Sequence, residues 1–106
     1  MSVTGNITGG NLLTAGLLSA TGNANFGNIT SGAGSGGNIT GVNYITANVT
    51  KTTSVTVANL PAAATAGAGS RSFVSDATAN TFGATAAGGG ANAVPVWTDG
   101  TTWKIG

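Results

Sequence analysis

Asp76 and Asp99 are the only acidic side chains in the sequence, and neither histidine nor cysteine accompanies them. Cleavage of a glycan by paired carboxylates needs two such groups flanking one bond. Here Asp99 precedes Gly100 in a turn-forming dipeptide, and Asp76 is placed to cap a strand end or to pair with Arg71, so each has a structural role to fill. A site shared between chains of an oligomer is the one remaining route to that chemistry. Nucleophilic catalysis has no base to work with, and no thiolate or imidazole is present to hold a metal. Gly32-x-Gly34-x-x-Gly37 matches the dinucleotide fingerprint in letters, but no strand precedes it and no helix follows to receive a pyrophosphate. The chain therefore reads as a non-enzyme with no cofactor. Recognition is what remains, and Trp97 is the residue for it: an indole offers a flat apolar surface and one N–H donor, matched to the apolar face of a sugar ring. The competing use of the same ring is packing in a chain interface beside Pro95.

The elements that would position Trp97 are strands. Asp99-Gly100 between two runs rich in Thr, Val and Trp is a two-residue hairpin signal. That turn would set Thr98 opposite Thr101, Trp97 opposite Thr102, Val96 opposite Trp103, Pro95 opposite Lys104 and Val94 opposite Ile105. Side chains alternate along a strand, so Val94, Val96, Trp103 and Ile105 share one face, while Pro95, Trp97, Thr102 and Lys104 share the other. Trp103 is then the core tryptophan, and Trp97, Thr102 and Lys104 form the candidate recognition group. Pro95, with no N–H, should lie at an edge or a non-bonded position. Upstream, residues 51 to 60 alternate as a half-buried strand with Val55 and Val57 on one face, ended by Pro61 and the Ala-Gly run to Ser70. Arg71 to Asp76 makes a second strand with Phe73 and Val74 on opposite faces, followed by a loop with Phe82 and a Gly88–Gly90 hinge. The expected core of this half is Phe73, Val94, Val96, Trp103 and Ile105.

Residues 1 to 50 are of another kind, carrying no charged side chain and repeating a short phrase: Gly5-Asn6-Ile7-Thr8, Gly10-Asn11-Leu12, Gly22-Asn23-Ala24, Gly27-Asn28-Ile29-Thr30, Gly37-Asn38-Ile39-Thr40, Asn43-Tyr44 and Asn48-Val49-Thr50. The unit is a pentad with one two-residue slip between Asn11 and Asn23, and such a short period marks a repeat architecture. Helix is disfavoured by the recurrent glycine and the Thr, Val and Ile around it. In a β arrangement the Gly-Asn pairs supply corners, because both residues tolerate positive φ, and the aliphatic residue after each Asn points inward. The sequons at Asn6, Asn28, Asn38 and Asn48 arise from the repeat, and stacked Asn side chains explain them without glycosylation. Pentapeptide-repeat solenoids place four pentads per coil, so fifty residues give only about two and a half coils, short of the three repeats such stacks need. Three chains wound together bury the same residues along a common axis: Ile7, Leu12, Leu17, Ile29, Ile39, Tyr44 and Val49. Gly32 to Gly37 is a flexible interruption. Thr30, Thr40 and Thr50 suggest an ice-binding array, which the slip and Phe26 spoil.

Composition points the same way. Leu, Ile, Val and Phe total 21 residues, near the roughly one-fifth level where disorder becomes the default, but the net charge of +1 argues against a chain held open by repulsion. A small, glycine-rich chain with no disulfide or metal becomes ordered by oligomerisation. No basic, apolar leader and no bilayer-length apolar run is visible, so a soluble protein made in a cytoplasm, with no membrane insertion, is expected. Three Lys and Arg residues are too few for a nucleic-acid footprint.

Residues 60 to 106 resemble a segment that closes many bacteriophage tail fibre and tail-associated proteins, on Arg71, Phe73, Val74, Asp76 and Ala77, Thr81-Phe82, Gly88 to Gly90, Val94 to Trp97, Asp99 to Thr101 and Trp103. The N-terminal half is similar to the Gly-Asn-Ile-Thr-Gly-Gly-Asn-Leu repeats of phage fibre shafts. The resemblance implies a homotrimer in the virion, made in the host cytoplasm, with its N-terminus toward other virion proteins and its C-terminus distal. The expected fold is all-β: an intertwined trimeric β-prism or β-helix shaft over residues 1–50 and a hairpin-containing tip over 51–106. The expected function is adhesion to a host surface glycan or lipopolysaccharide. Because the repeat begins at Ser2 with no separate anchor domain, a purely structural head fibre, collar fibre or locking protein is the alternative expectation.

Overall fold

The computed structural model describes residues 2–29 and 38–106; Thr30, the Gly32–Gly37 interruption and its fingerprint-like glycines lie outside the described residues. The chain divides into two units, Met1–Asn43 and Tyr44–Gly106, with Tyr44 and Val49 in the second. Secondary structure is mostly strand with little helix, gathered in one mixed four-stranded sheet.

In the first unit the pentad appears as a rhythm of bends at Thr4–Gly5, Gly10, Ala15–Gly16, Thr21–Gly22 and Gly27, with two more at Gly41 and Asn43, and with neither helix nor strand among the described residues. The slip is absorbed as two six-residue steps with Gly16 at the middle corner, where the Gly16 N–H donates to Thr14 Oγ1 at 3.1 Å. Corners fall on glycine, yet no asparagine adopts positive φ, and among the described residues of this unit only Gly41 does, at +72°. The positive-φ Gly-Asn corner is therefore not how the chain turns; without a paired strand no tight reversal is imposed on it. The residue two places after Gly5, Gly10, Gly16, Gly22 and Gly27 is Ile7, Leu12, Leu18, Ala24 and Ile29, so Leu18 and not Leu17 holds that place in the rhythm; after Gly41 it is Asn43.

The second unit builds its sheet from β1 (Ser54–Val55), β2 (Arg71–Ala77), β3 (Asn92–Thr98) and β4 (Trp103–Ile105), in that spatial order. β1 runs parallel to β2, so the chain must cross over between them, and it does so through a 3₁₀ turn at Val57–Asn59 and a single helical turn, α1 (Ala63–Ala66). β2, β3 and β4 are antiparallel neighbours. The strand expected over residues 51 to 60 is thus only two residues long. Its continuation is pre-empted by Asp76, whose Oδ1 accepts the Val57 N–H at 2.8 Å and turns the backbone out of the ladder.

One face of the sheet buries Val74, Ala77, Val96, Trp103 and Ile105, against which Val55, Val57, Leu60, Ala63, Ala66, Ala84, Ala86 and Val94 pack. The crossover supplies the cover. Each fully buried Val contributes roughly 1.5–3 kcal/mol. Trp103 Nε1 donates to the Pro61 carbonyl at 2.8 Å, so the indole is buried without an orphaned donor. β2 sends Val74, not Phe73, into this core: Val74 lies between Val55 and Val94 in the register, whereas Phe73 pairs with Pro95 on the opposite face and is half-buried.

The hairpin differs from the two-residue turn by a register step. Thr98 pairs with Trp103, Trp97 with Lys104 and Val96 with Ile105, leaving Asp99 to Thr102 as a four-residue loop. Asp99 Oδ1 accepts the N–H groups of Thr101 at 2.9 Å and Thr102 at 2.8 Å, and this side-chain turn widens the loop. Because the shift is two residues, every side chain keeps its face. Pro95 lies on the inner strand β3 rather than at an edge, opposite Phe73 on one side; on the other its carbonyl accepts the Gly106 N–H at 3.0 Å, where β4 has ended. Its missing N–H thus falls at the end of the β3–β4 ladder.

The loop through Phe82 is more ordered than its composition suggests. Ile105 N–H donates to Ala84 O at 2.8 Å and Ala86 N–H to Trp103 O at 2.9 Å, with Thr85 bridging to Lys104, so this segment covers the outer edge of β4. Nor are Gly88–Gly90 a hinge. Gly90 donates to Asp76 O at 2.8 Å beside the irregularity between Val74 and Ala77, and a Cβ on Gly90 would stand 2.6 Å from Thr78 Cα and collide with the Ala77 carbonyl oxygen. Gly90→Ala is expected to destabilise the tip by about 3 kcal/mol or more, whereas Gly83→Ala, with open space and φ of +81°, should cost only about 1–2 kcal/mol. Urea melts followed by tryptophan fluorescence check the ranking.

Candidate functional site

With one sheet face closed by the crossover, the other carries the more exposed side chains of the tip. Its side chains are set by parity: Arg71 and Phe73 from β2, Pro95 and Trp97 from β3, Lys104 from β4. The register lines up Arg71, Trp97, Lys104 and Thr85 in one row across the sheet, with Phe73 and Pro95 beside it. Directly paired residues have Cβ atoms roughly 5 Å apart. The row therefore makes Arg71 of β2 and Lys104 of β4 the two cross-strand neighbours of one half-buried indole.

Lys104 Nζ lies 5.9 Å from the centre of the Trp97 ring and 3.4 Å from Asp99 Oδ2, its side chain one-third exposed. Arg71 Nη2 reaches across β3 to donate to a Gly106 oxygen at 3.4 Å, just past the end of β4. Gly106 itself sits close between two aromatic rings, since a Cβ there would fall 2.5 Å from Phe82 Cδ2 and 3.4 Å from Trp97 Nε1. Phe82, 79% exposed, thereby joins the same surface. The Thr102 backbone is tied into the turn, its N–H to Asp99 Oδ1 and its carbonyl accepting the Asp99 N–H at 3.3 Å. Of the three sequence-derived candidates, Trp97 and Lys104 are paired directly, whereas Thr102 stands in the loop and not opposite Trp97.

Local sequence does not single out Arg71 and Phe82 as members of this face. The β2–β3 register and the Gly83–Ala86 edge that place them are long-range pairings, and nothing in the local sequence around either residue announces them. The carboxylates are engaged in structure. Asp76 does not pair with Arg71: its Oδ1 accepts from Val57 N–H and its Oδ2 from Gly89 N–H at 3.4 Å, so it ties the strand end to the crossover and the glycine loop. Asp76 and Asp99 stand at opposite ends of the antiparallel β2–β3 pair, roughly 20 Å apart by strand rise and well beyond the roughly 5–9.5 Å that glycosidase carboxylates require.

In the first unit, Ile7, Gly9, Asn11 and Leu12 line a recess of about 160 Å³ with no titratable group in it. Among the described residues no cluster of acidic, His or Cys side chains could hold a metal, and no helix is long and apolar enough to cross a membrane.

The Asp99 pKa is held below its ordinary value, first by the Thr102 N–H, then by the Thr101 N–H, with Lys104 assisting. A depressed folded-state pKa stabilises the turn above the unfolded value of about 3.9 and loses that contribution as pH falls through the folded value. The amide resonances of Thr101 and Thr102 are expected to titrate together with a midpoint below about 3.9, and Asp99→Asn should abolish that titration. The chain matches no protein-family model, no curated protein and no solved structure.

Proposed function

We propose that the chain is a homotrimeric bacteriophage tail fibre protein of the virion, with a β-prism or β-helix shaft made by its repeat half and a non-enzymatic adhesion face on its tip. One contrast carries this reading. The tip closes its own core, whereas the repeat leaves Ile7 and Leu12 each 72%, Ile29 77% and Ile39 79% exposed in a stretch without a charged side chain. Soluble monomers rarely display apolar side chains in such density. Copies of the same chain are the natural cover, because each brings the same period.

In the proposed trimer the bend phase makes Ile7, Leu12, Leu18 and Ile29 axial residues, with Ile39, Tyr44 and Val49 continuing the line. Three tips on one shaft present three copies of the Trp97 face, and weak single contacts with a host glycan or lipopolysaccharide add through effective concentration. The separation of the two carboxylates within a chain supports binding without cleavage. The N-terminal end is proposed to meet the other virion proteins.

Light scattering is expected to give three times the 10.0 kDa chain mass. Ile7→Asp combined with Leu12→Asp should release single chains while the Trp103 emission of the tip stays unchanged. A lone, compact particle in which the entire chain melts cooperatively would sink the trimer. Trp97→Ala is expected to lower adsorption of particles to host cells at least ~10-fold through the loss of three contacts; unchanged adsorption would remove the adhesion role.

A further inference from the structure

Glycine and asparagine follow one order in this chain. In the repeat, glycine comes first at Gly5-Asn6, Gly10-Asn11, Gly22-Asn23, Gly27-Asn28 and Gly37-Asn38, and none of the eleven asparagines is followed by glycine. Of the two aspartates, Asp76 precedes Ala77 and Asp99 precedes Gly100. The order decides chemistry, because a backbone nitrogen attacks the side-chain carbonyl carbon of the preceding residue most readily when its own residue has no side chain to obstruct the approach. Asp99–Gly100 is the one place in the sequence where that attack is sterically open.

We propose that Asp99–Gly100 is a latent isoaspartate site, which the folded hairpin loop holds shut and whose conversion undoes the loop. In the reaction the Gly100 nitrogen forms a bond to Asp99 Cγ, and a carboxyl oxygen leaves as water, carrying the acid's proton and the one the amide gives up. Water then opens the five-membered imide at either carbonyl, restoring aspartate or giving isoaspartate, so the net change is an isomerisation at constant mass. In the folded loop both reactants are occupied. The Gly100 N–H donates to Thr98 Oγ1 at 2.9 Å. Thr98 is fully buried, its N–H given to Ser70 O at 3.0 Å and its carbonyl accepting from Gly69 at 2.8 Å, so its hydroxyl is fixed in place. Asp99 Oδ1 accepts the N–H groups of Thr101 and Thr102, and Oδ2 lies 3.4 Å from Lys104 Nζ. Ring closure must therefore break one hydrogen bond at Gly100 and two at Asp99 before the new bond forms. The same N–H groups hold the Asp99 carboxyl below its ordinary pKa, which depletes the protonated acid from which water departs. Isoaspartate adds a carbon to the main chain and moves the carboxylate onto Cα. The turn that Asp99 organises and its ion pair with Lys104 are then lost, and with them the fixing of Lys104 beside Trp97.

The test incubates the full chain at neutral pH in buffer and in denaturing urea, counting isoaspartate by fragmentation mass spectrometry of the peptides that span residues 76 and 99. In urea residue 99 is expected to convert at least ~10-fold faster than in buffer, because three hydrogen bonds no longer oppose closure, while Asp76 stays slow in both. Thr98→Val removes the acceptor at nearly constant volume and should quicken conversion in buffer, whereas Thr98→Ser, which keeps the hydroxyl, should not. Lys104→Gln releases the other anchor at the surface and should also quicken conversion in buffer while leaving the rate in urea unchanged, so the loop is tested even if Thr98→Val does not fold. The purified isoaspartate form is expected to melt at lower urea than the parent. Equal rates in buffer and urea, or no excess of residue 99 over residue 76 in urea, overturn the site. Folded Thr98→Val and Lys104→Gln chains that convert no faster than the parent overturn the loop as its guard.

Discussion

The burial of Trp103 is the constraint from which the tip follows. Its indole lies beneath the sheet, and its Nε1 finds the Pro61 carbonyl, so one side chain joins the hairpin to the crossover between the two parallel strands. Strand parity does the rest. With Trp103 and Ile105 inward, Lys104 must point outward, and its partner Trp97 with it. The core and the candidate site are thus two sides of one decision. A change that released Trp103 would also scatter the row of Arg71, Trp97 and Lys104, although none of those three touches the Pro61 carbonyl.

Much of this was legible in the sequence, and the failures share a cause. Alternation from Val94 to Thr98 and from Trp103 to Ile105 identifies Val96, Trp103 and Ile105 as sharing a face, and the structure buries them. The pairing of opposite residues was displaced by two, because Asp99 recruits two backbone N–H groups into a wider loop. A shift of two preserves faces, so facial assignment survives an error in register. Alternation also says that Phe73 and Val74 point apart without saying which is inward. That choice is made by Val55 and Val94, residues distant in sequence. Likewise Val57 continues a good strand pattern until Asp76 takes its N–H. Where the deciding partner is far along the chain, local pattern is silent.

The glycines divide along the same line. In the repeat they space the bends, and at Gly5, Gly10, Gly16, Gly22 and Gly27 an added Cβ would meet nothing within 4 Å. In the tip the backbone of Ala77 and Thr78 approaches Gly90 too closely for any side chain, and the Phe82 ring lies against Gly106. The same residue type therefore serves periodicity in one half and close packing in the other, and composition alone does not distinguish the packed Gly88–Gly90 from a hinge.

That division bears on the proposed trimer. At Gly90 the molecule supplies its own neighbour, so the absence of a side chain is explained within the chain. Along the repeat, glycine's conformational entropy is an unfavourable contribution to ordering, and the described residues offer neither buried area nor a strand ladder to offset it. Repetition without internal stacking leaves the bend rhythm, the shared aliphatic phase and the lack of charge without a purpose in a solitary chain. All three acquire one together if identical chains meet in register, because like residues then fall at the same height on a common axis and no like charges are brought together.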